Sequence, residues 1–287
     1  MSSPSNPAEK RRAALREEAE HARRVAHERG ETSFTRLPAE GLSTPKIVRA
    51  TIAMIRQLAP AMRGAYLDVG SGNGELIDRV MREFAVTPHA CDYRDDLMTI
   101  GDLKVDVADL NTQPLPYADR SFDLVTCTEV IEHLEDFRAA IREVARVLRP
   151  GGVFVVSTPN VLNLRSRLRY LFFGFHNLFG PLRLGDERHH STHGHISPVG
   201  YFYLAHALHA AGFTDIRVSV DKLQRRSWLP LALLWIPLRI FAAVALRREK
   251  REKIATVDAQ NERFVREMNS TDLLLGRTII VGGRRAE

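Results

Sequence analysis

The stretch Leu67-Asp68-Val69-Gly70-Ser71-Gly72-Asn73-Gly74-Glu75-Leu76 constrains this chain more than any other. A short apolar run, Ala65 to Val69, has strand character and ends in glycines at alternate positions. Helical periodicity begins directly after it, from Glu75 to Phe84. Glycine reaches unusual φ values and carries no Cβ, so such a turn lets a ligand approach the backbone closely. Strand, turn and helix then recur along the chain. Thr87 to Cys91 and Lys104 to Val107 are weaker strand candidates, and Phe122 to Cys127 is a stronger one, followed by a helix from Phe137 to Leu148. Arg149-Pro150-Gly151-Gly152 breaks that helix, and Val153 to Ser157 reads as a buried strand. A helix from Pro198 to Ala211 ends at Gly212, strand Asp215 to Val220 follows, and Leu273 to Val281 reads as a last strand. Such alternation predicts an α/β fold, a parallel sheet with helices on both faces.

Composition narrows the setting. With 287 residues, 44% hydrophobic and 26% charged, the chain excludes collagen-like, low-complexity and wholly disordered classes. Its two cysteines, Cys91 and Cys127, cannot build a disulfide framework, so a reducing, cytoplasmic setting is expected. A formal net charge of +6 points to an anionic partner, either nucleic acid or a membrane surface. Residues 1–42 read as a charged helix (Ala8 to Arg29) and a linker without a signal peptide. A helix start is expected at Ser43-Thr44-Pro45, with a hydroxyl cap.

The ends of the strands carry the chemistry. Asp92 closes the second strand, where a carboxylate can accept hydrogen bonds from both hydroxyls of a ribose. Asp109-Leu110-Asn111 follows the third and suits an adenine, by hydrogen bond and by apolar contact. Thr126-Cys127-Thr128-Glu129 closes the fourth. The spacing G-x-G-x-G differs from the G-x-G-x-x-G of dinucleotide sites. Together with ACDY (90–93), DLNTQPLPYADRSFDLV (109–125), EVIEHL (129–134) and LRPGGVFVVSTPN (148–160), the turn resembles the class I S-adenosylmethionine-dependent methyltransferases, in the family's motif order. The resemblance covers about half the chain and is nearest to the ubiquinone-pathway and type 11 and 12 methyltransferases. It implies a Rossmann-like seven-stranded sheet with helices on both faces, whose last two strands form an antiparallel pair. It also implies S-adenosylmethionine as cofactor, contacted by Gly70, Gly72, Asp92, Leu110 and Thr128, with Asp68 and Asp109 close by.

Glu129, Glu132 and His133 form E-x-x-E-H, and on one helical turn all three can share a face. Four histidines follow in the run 188–195. A metal site of Glu129, Glu132, His133 and His193, for Mg²⁺ or a similar ion, is one expectation. His193 or His195 acting alone as general base is another, with Glu129 and His133 also expected among the catalytic residues. The competing reading gives these groups local roles only, in positioning and packing. E-x-x-E-H with a later histidine resembles the ubiquinone-pathway O-methyltransferases, and the STPN and H-x-H segments resemble the small-RNA 2′-O-methyltransferases.

Trp228 to Leu246 is apolar except for Arg239 and long enough to span a membrane. Strand candidates on both sides of it belong to one sheet, which argues against a single crossing. A hairpin bent near Pro237, lying in the membrane interface, or a buried lid helix remain, with a core or dimer-interface helix as the plainer alternative. Basic residues on both flanks suit anionic headgroups. The domain expectation is therefore a methyltransferase domain over 43–220 plus 271–287, interrupted by an apolar and basic helical insertion at 221–270. The functional expectation is O-methylation of a small, hydrophobic or lipid-linked acceptor by a cytoplasmic enzyme on the inner face of the membrane. RNA 2′-O-methylation and a non-catalytic S-adenosylmethionine-binding scaffold are the alternatives, nucleic acid being the weaker partner.

Overall fold

The computed structural model describes residues 44–182, 194–251 and 256–287. The charged N-terminal helix expected before Gly30 and the histidines 189, 190 and 193 lie outside the described residues. Chain order runs α1 (Pro45–Leu58), β1 (Arg63–Val69), α2 (Glu75–Glu83), β2 (Ala85–Asp92), β3 (Val105–Val107) and β4 (Phe122–Thr128). A 3-10 turn (Ile131–His133) precedes α3 (Phe137–Val147), β5 (Leu148–Pro159), α4 (Leu164–Phe173), α5 (Tyr201–Ala210) and β6 (Phe213–Val220), and a second 3-10 turn (Arg225–Ser227) follows. The chain closes with α6 (Trp228–Arg251), α7 (Glu262–Glu267), α8 (Thr271–Leu275) and β7 (Thr278–Arg285).

The seven strands form one sheet in the order β3-β2-β1-β4-β5-β7-β6. β1 pairs in parallel with β2 and β4, whereas β7 runs antiparallel between β5 and β6. The sheet order reverses between β1 and β4, and at such a switch point an open α/β sheet leaves a crevice beyond its carboxyl ends. Helices cover both faces. One apolar cluster packs α3, α5 and α8 against the sheet, and the other packs α1 and α2 against the opposite face.

Two boundaries differ from expectation for local reasons. Leu273 to Leu275 belong to a helix, not to the last strand, because the Ser270 hydroxyl accepts from the Leu273 N–H and caps a short turn. All three leucines are buried, so their apolar character served helix packing rather than a strand. Thr44 precedes α1 without a side-chain cap, and Pro45 starts the helix instead. The insertion also differs. It holds one uninterrupted 24-residue helix that runs through Pro237, neither a bent hairpin nor a buried lid, since Leu231 alone of its residues is buried.

Candidate active site at the carboxyl edge of the sheet

β1 ends in the glycine turn, and the neighbouring strand holds that turn in place. The Gly70 and Ser71 N–H groups both donate to the Cys91 carbonyl, at 2.8 and 3.3 Å. Gly70 sits at φ 74, and a Cβ there would lie 2.1 Å from Val130 Cγ2. The Val130 side chain, just after β4, therefore packs directly on the turn, which glycine permits. Gly74 begins α2 in the left-handed region, with Met98 and Ile100 of the following loop against it.

Asp92 ends β2 with its side chain nearly buried. Its Oδ2 accepts from the Gly72 N–H at 2.9 Å and its Oδ1 from the Arg94 N–H at 3.3 Å. A carboxylate so placed keeps free lone pairs and a fixed orientation. Burial raises its pKa, and the Gly72 N–H is the largest opposing influence. Asp109 behaves differently. Its carboxylate takes the Asn111 N–H and the Thr112 hydroxyl, closing its own turn, while Asn111 Oδ1 accepts from the Glu135 N–H. Leu110 is half-buried against the main core, and Thr128 is buried at the end of β4.

Below this edge lies a polar chain not read from the sequence. The Tyr66 hydroxyl and Thr126 Oγ1 are 2.8 Å apart, and Thr126 donates to Asp68 Oδ1 at 2.6 Å. All three are buried, and desolvation pushes the Asp68 carboxyl up to about 8. The signal available in the sequence was Thr126, a hydroxyl that interrupts the apolar run Leu124 to Cys127.

Glu129 occupies the left-handed region at φ 56, uncommon for a residue with a side chain. Ser157 holds it there: its hydroxyl donates to Glu129 Oε1 at 3.0 Å, and its carbonyl accepts the Glu129 N–H at 3.2 Å. Burial lifts this carboxyl to about 7, against Ser157 and the Arg277 charge. Glu132 is fully buried and receives the Thr158 hydroxyl on Oε2 at 3.1 Å, while its Oε1 has no partner. Its pKa is far above the usual carboxylate range, through burial first and the Glu129 charge second. Ser157 and Thr158, positions of the STPN segment, thus orient the two glutamates.

His133 and His195 stack edge to face, with centroids 4.9 Å apart. His133 Nδ1 meets the Gly194 carbonyl at 2.9 Å, and His195 Nδ1 has no partner. Burial lowers both imidazoles, so both favour the neutral form. Ligand atoms of Glu132, His133 and His195 lie within 4.8 Å of one another. That grouping differs from the expected metal set in taking in His195 and leaving out Glu129, which is bonded to Ser157; His193 lies outside the described residues. The segment 194–197 reaches this place because the Ile196 and Ser197 N–H groups both donate to the Glu132 carbonyl at 2.9 Å.

The group of carboxylates matches a cationic ligand in kind. Asp68, Asp92 and Glu129 are all held above their ordinary ionisation range by burial, which a positive charge nearby would relieve. A family model described as a methyltransferase domain matches residues 42–218. A probable S-adenosylmethionine-dependent methyltransferase from Mycolicibacterium smegmatis is 40% identical over 99 residues, 33% of this chain and 37% of its own. A demethylmenaquinone methyltransferase from Geobacillus stearothermophilus is 30% identical over 145 residues, 46% of this chain and 62% of its own. The chain thus spans less than two thirds of these relatives. A solved S-adenosylmethionine-dependent methyltransferase from Archaeoglobus fulgidus superposes with a TM-score of 0.48 at 18% identity, covering 83% of this chain and 94% of that one. The family match over more than half of the residues, on a sheet of this order, places the chain in the S-adenosylmethionine-dependent methyltransferase family.

Proposed function

We propose that the protein transfers a methyl group from S-adenosylmethionine to an apolar or lipid-linked acceptor presented at the cytoplasmic face of a membrane. The observation that carries the cofactor reading is Asp92, clamped by the Gly72 N–H at the end of β2. In this reading Asp92 takes the ribose hydroxyls, Leu110 packs on the adenine, and the turn at Gly70 and Gly72 admits the cofactor's backbone-facing side. Thr128 closes the floor, with Asp68 beneath it and Asp109 shaping the adjoining loop. Bound S-adenosylmethionine supplies an electrophilic methyl on a sulfonium. The chain's own contribution is position: residues on four strand ends hold the reacting partners together and exclude water.

The acceptor would enter beside Glu129, Glu132, His133 and His195. Neutral His195, with one nitrogen unpartnered, is suited to take a proton from an acceptor hydroxyl as the oxygen attacks. The same unpartnered nitrogen and the Glu132 Oε1 also fit a divalent cation such as Mg²⁺ held with His133. His193 belongs to the same expectation but lies outside the described residues. The relatives named for menaquinone methylation support a prenylated quinone precursor as the first acceptor to try, on oxygen or on carbon. Buried, unpaired Cys91 and Cys127 support a reducing compartment.

Isothermal calorimetry with S-adenosylmethionine and S-adenosylhomocysteine tests the cofactor reading. Binding that is absent from the wild type sinks it. Methyl transfer to extracted polar lipid, prenylated quinol or total RNA then sorts the acceptors, and activity retained in full after exhaustive EDTA removes the metal.

A further inference from the structure

Helix α6 carries two apolar faces, and the fold uses only one. Leu231, Leu234 and Leu238, at spacings of three and four, turn inward to a small cluster with Leu164, Leu274 and Leu275. At 3.6 residues per turn, the opposite side of the helix presents Leu229, Leu233, Ile236, Ile240 and Val244 in one line. All five are exposed, from 56% to 72%. An apolar stripe this long on the outside of a folded chain marks an interaction surface. It ends in charge. Arg247 and Arg251 continue the same line at the next turns, both exposed.

A second element stands next to it. Leu168 of α4 joins the same inner cluster as Leu234 and Leu238, so α4 packs against α6. The last turn of α4 exposes Leu171, Phe172 and Phe173 at 72%, 83% and 60%. Arg169 sits over the Phe173 ring, 5.2 Å from its centroid, and Arg239 over Trp235 at the same distance. Apolar and aromatic side chains interleaved with arginines on two adjoining helices are the pattern of an interfacial membrane surface. The helix is long and apolar enough to cross a membrane by composition. However, β6 and β7, which flank it in sequence, pair with each other in one sheet. Lys250 also ties its far end to Glu262 of α7 at 2.6 Å. Both ends of the helix therefore stay on one side.

We propose that the outer stripe of α6 and the tip of α4 form one docking surface for an anionic lipid bilayer, with α6 lying along the interface and its arginines on the headgroups. The proposal deepens the reading of an apolar acceptor and rests on it for the choice of a bilayer as occupant. Charge complementarity selects that occupant over a second copy of this chain, whose identical stripe would bring Arg247 and Arg251 against like charge or leave them unused.

Vesicle flotation of the full chain is the test, with phosphatidylcholine vesicles containing phosphatidylglycerol and with phosphatidylcholine alone. The wild type should float with the anionic vesicles and much less with the neutral ones. Leu233→Glu with Ile240→Glu should abolish flotation, and because both sites are exposed the variant should still bind S-adenosylmethionine in calorimetry. Arg247→Gln with Arg251→Gln should weaken partitioning about 30-fold, roughly fivefold per arginine. Wild type that stays unbound overturns the proposal, as do glutamate variants that float like the wild type. A wild-type dimer that the glutamate pair converts to monomer, seen by light scattering, assigns the stripe to self-association and overturns it too. Cofactor binding without flotation rejects the dock alone, whereas flotation without cofactor binding rejects the methyltransferase reading alone.

Discussion

The carboxyl edge of the sheet and helix α6 treat burial in opposite ways. At the edge, charged groups are taken out of water: Asp68, Asp92, Glu129 and Glu132 are all desolvated and all held above their ordinary pKa. At α6, apolar groups are left in water, and of 24 residues only Leu231 is buried. Both arrangements raise the free energy of the isolated chain. A region that stays costly in isolation is one whose missing partner has the complementary character. At the edge the complement is a cation, and at α6 it is an apolar surface with negative charge beside it.

The largest expected effect breaks the edge. Asp92→Ala should weaken S-adenosylmethionine binding by two to three orders of magnitude in calorimetry, since charge-assisted hydrogen bonds contribute about 1.5–3 kcal/mol each. Folding should survive, because the Gly72 N–H can turn to water. Unchanged affinity would remove Asp92 from the site. Gly70→Ala comes next. Left-handed backbone and the Val130 contact together should cost about 2–4 kcal/mol, read as a lower midpoint in urea. An equal midpoint would mean that the turn is not held by β4.

A third prediction concerns protons. Folding keeps on Asp68 a proton that the unfolded chain releases near its ordinary value of 3.8, up to about 8. The folded state thus binds more protons than the unfolded one in that window, and ligand-free stability should fall as pH rises from 4 to 8. A cation beside Asp68 expels the proton, so cofactor affinity should rise over the same range, with proton release on binding. Asp68→Asn should flatten both profiles in thermal melts and calorimetry. Smallest of all, Leu229→Glu on the outer stripe should shift stability by no more than about 0.5 kcal/mol, because nothing packs there. A large loss would show that the stripe is covered within the folded chain.

Reading the sequence reached the sheet, the glycine turn and Asp92 because each is a local pattern. Period-two and period-3.6 hydrophobicity and a glycine spacing need no knowledge of distant contacts. It reached the E-x-x-E-H group for the same reason, but expected Glu129 among the ligands where the structure groups Glu132 and His133 with His195, His193 lying outside the described residues. Glu129 is diverted by Ser157, 28 residues away, and His195 is brought in by the Glu132 carbonyl. Neither contact leaves a trace in spacing. A bend near Pro237 was one expectation because proline's missing donor is a local argument, whereas the packing of Leu231, Leu234 and Leu238 against Leu164, Leu274 and Leu275 in one continuous helix is not local.

The amino-acid sequence alone determined the alternation of strands and helices, the ligand-admitting turn and the acidic strand ends. Those follow from short-range sterics and from the burial of apolar faces. Only the tertiary structure decided which donor holds each carboxylate, that His195 stands beside Glu132 and His133, and which face of α6 is left to solvent. Such choices depend on desolvation and on partners far apart in the chain, and no local pattern encodes either.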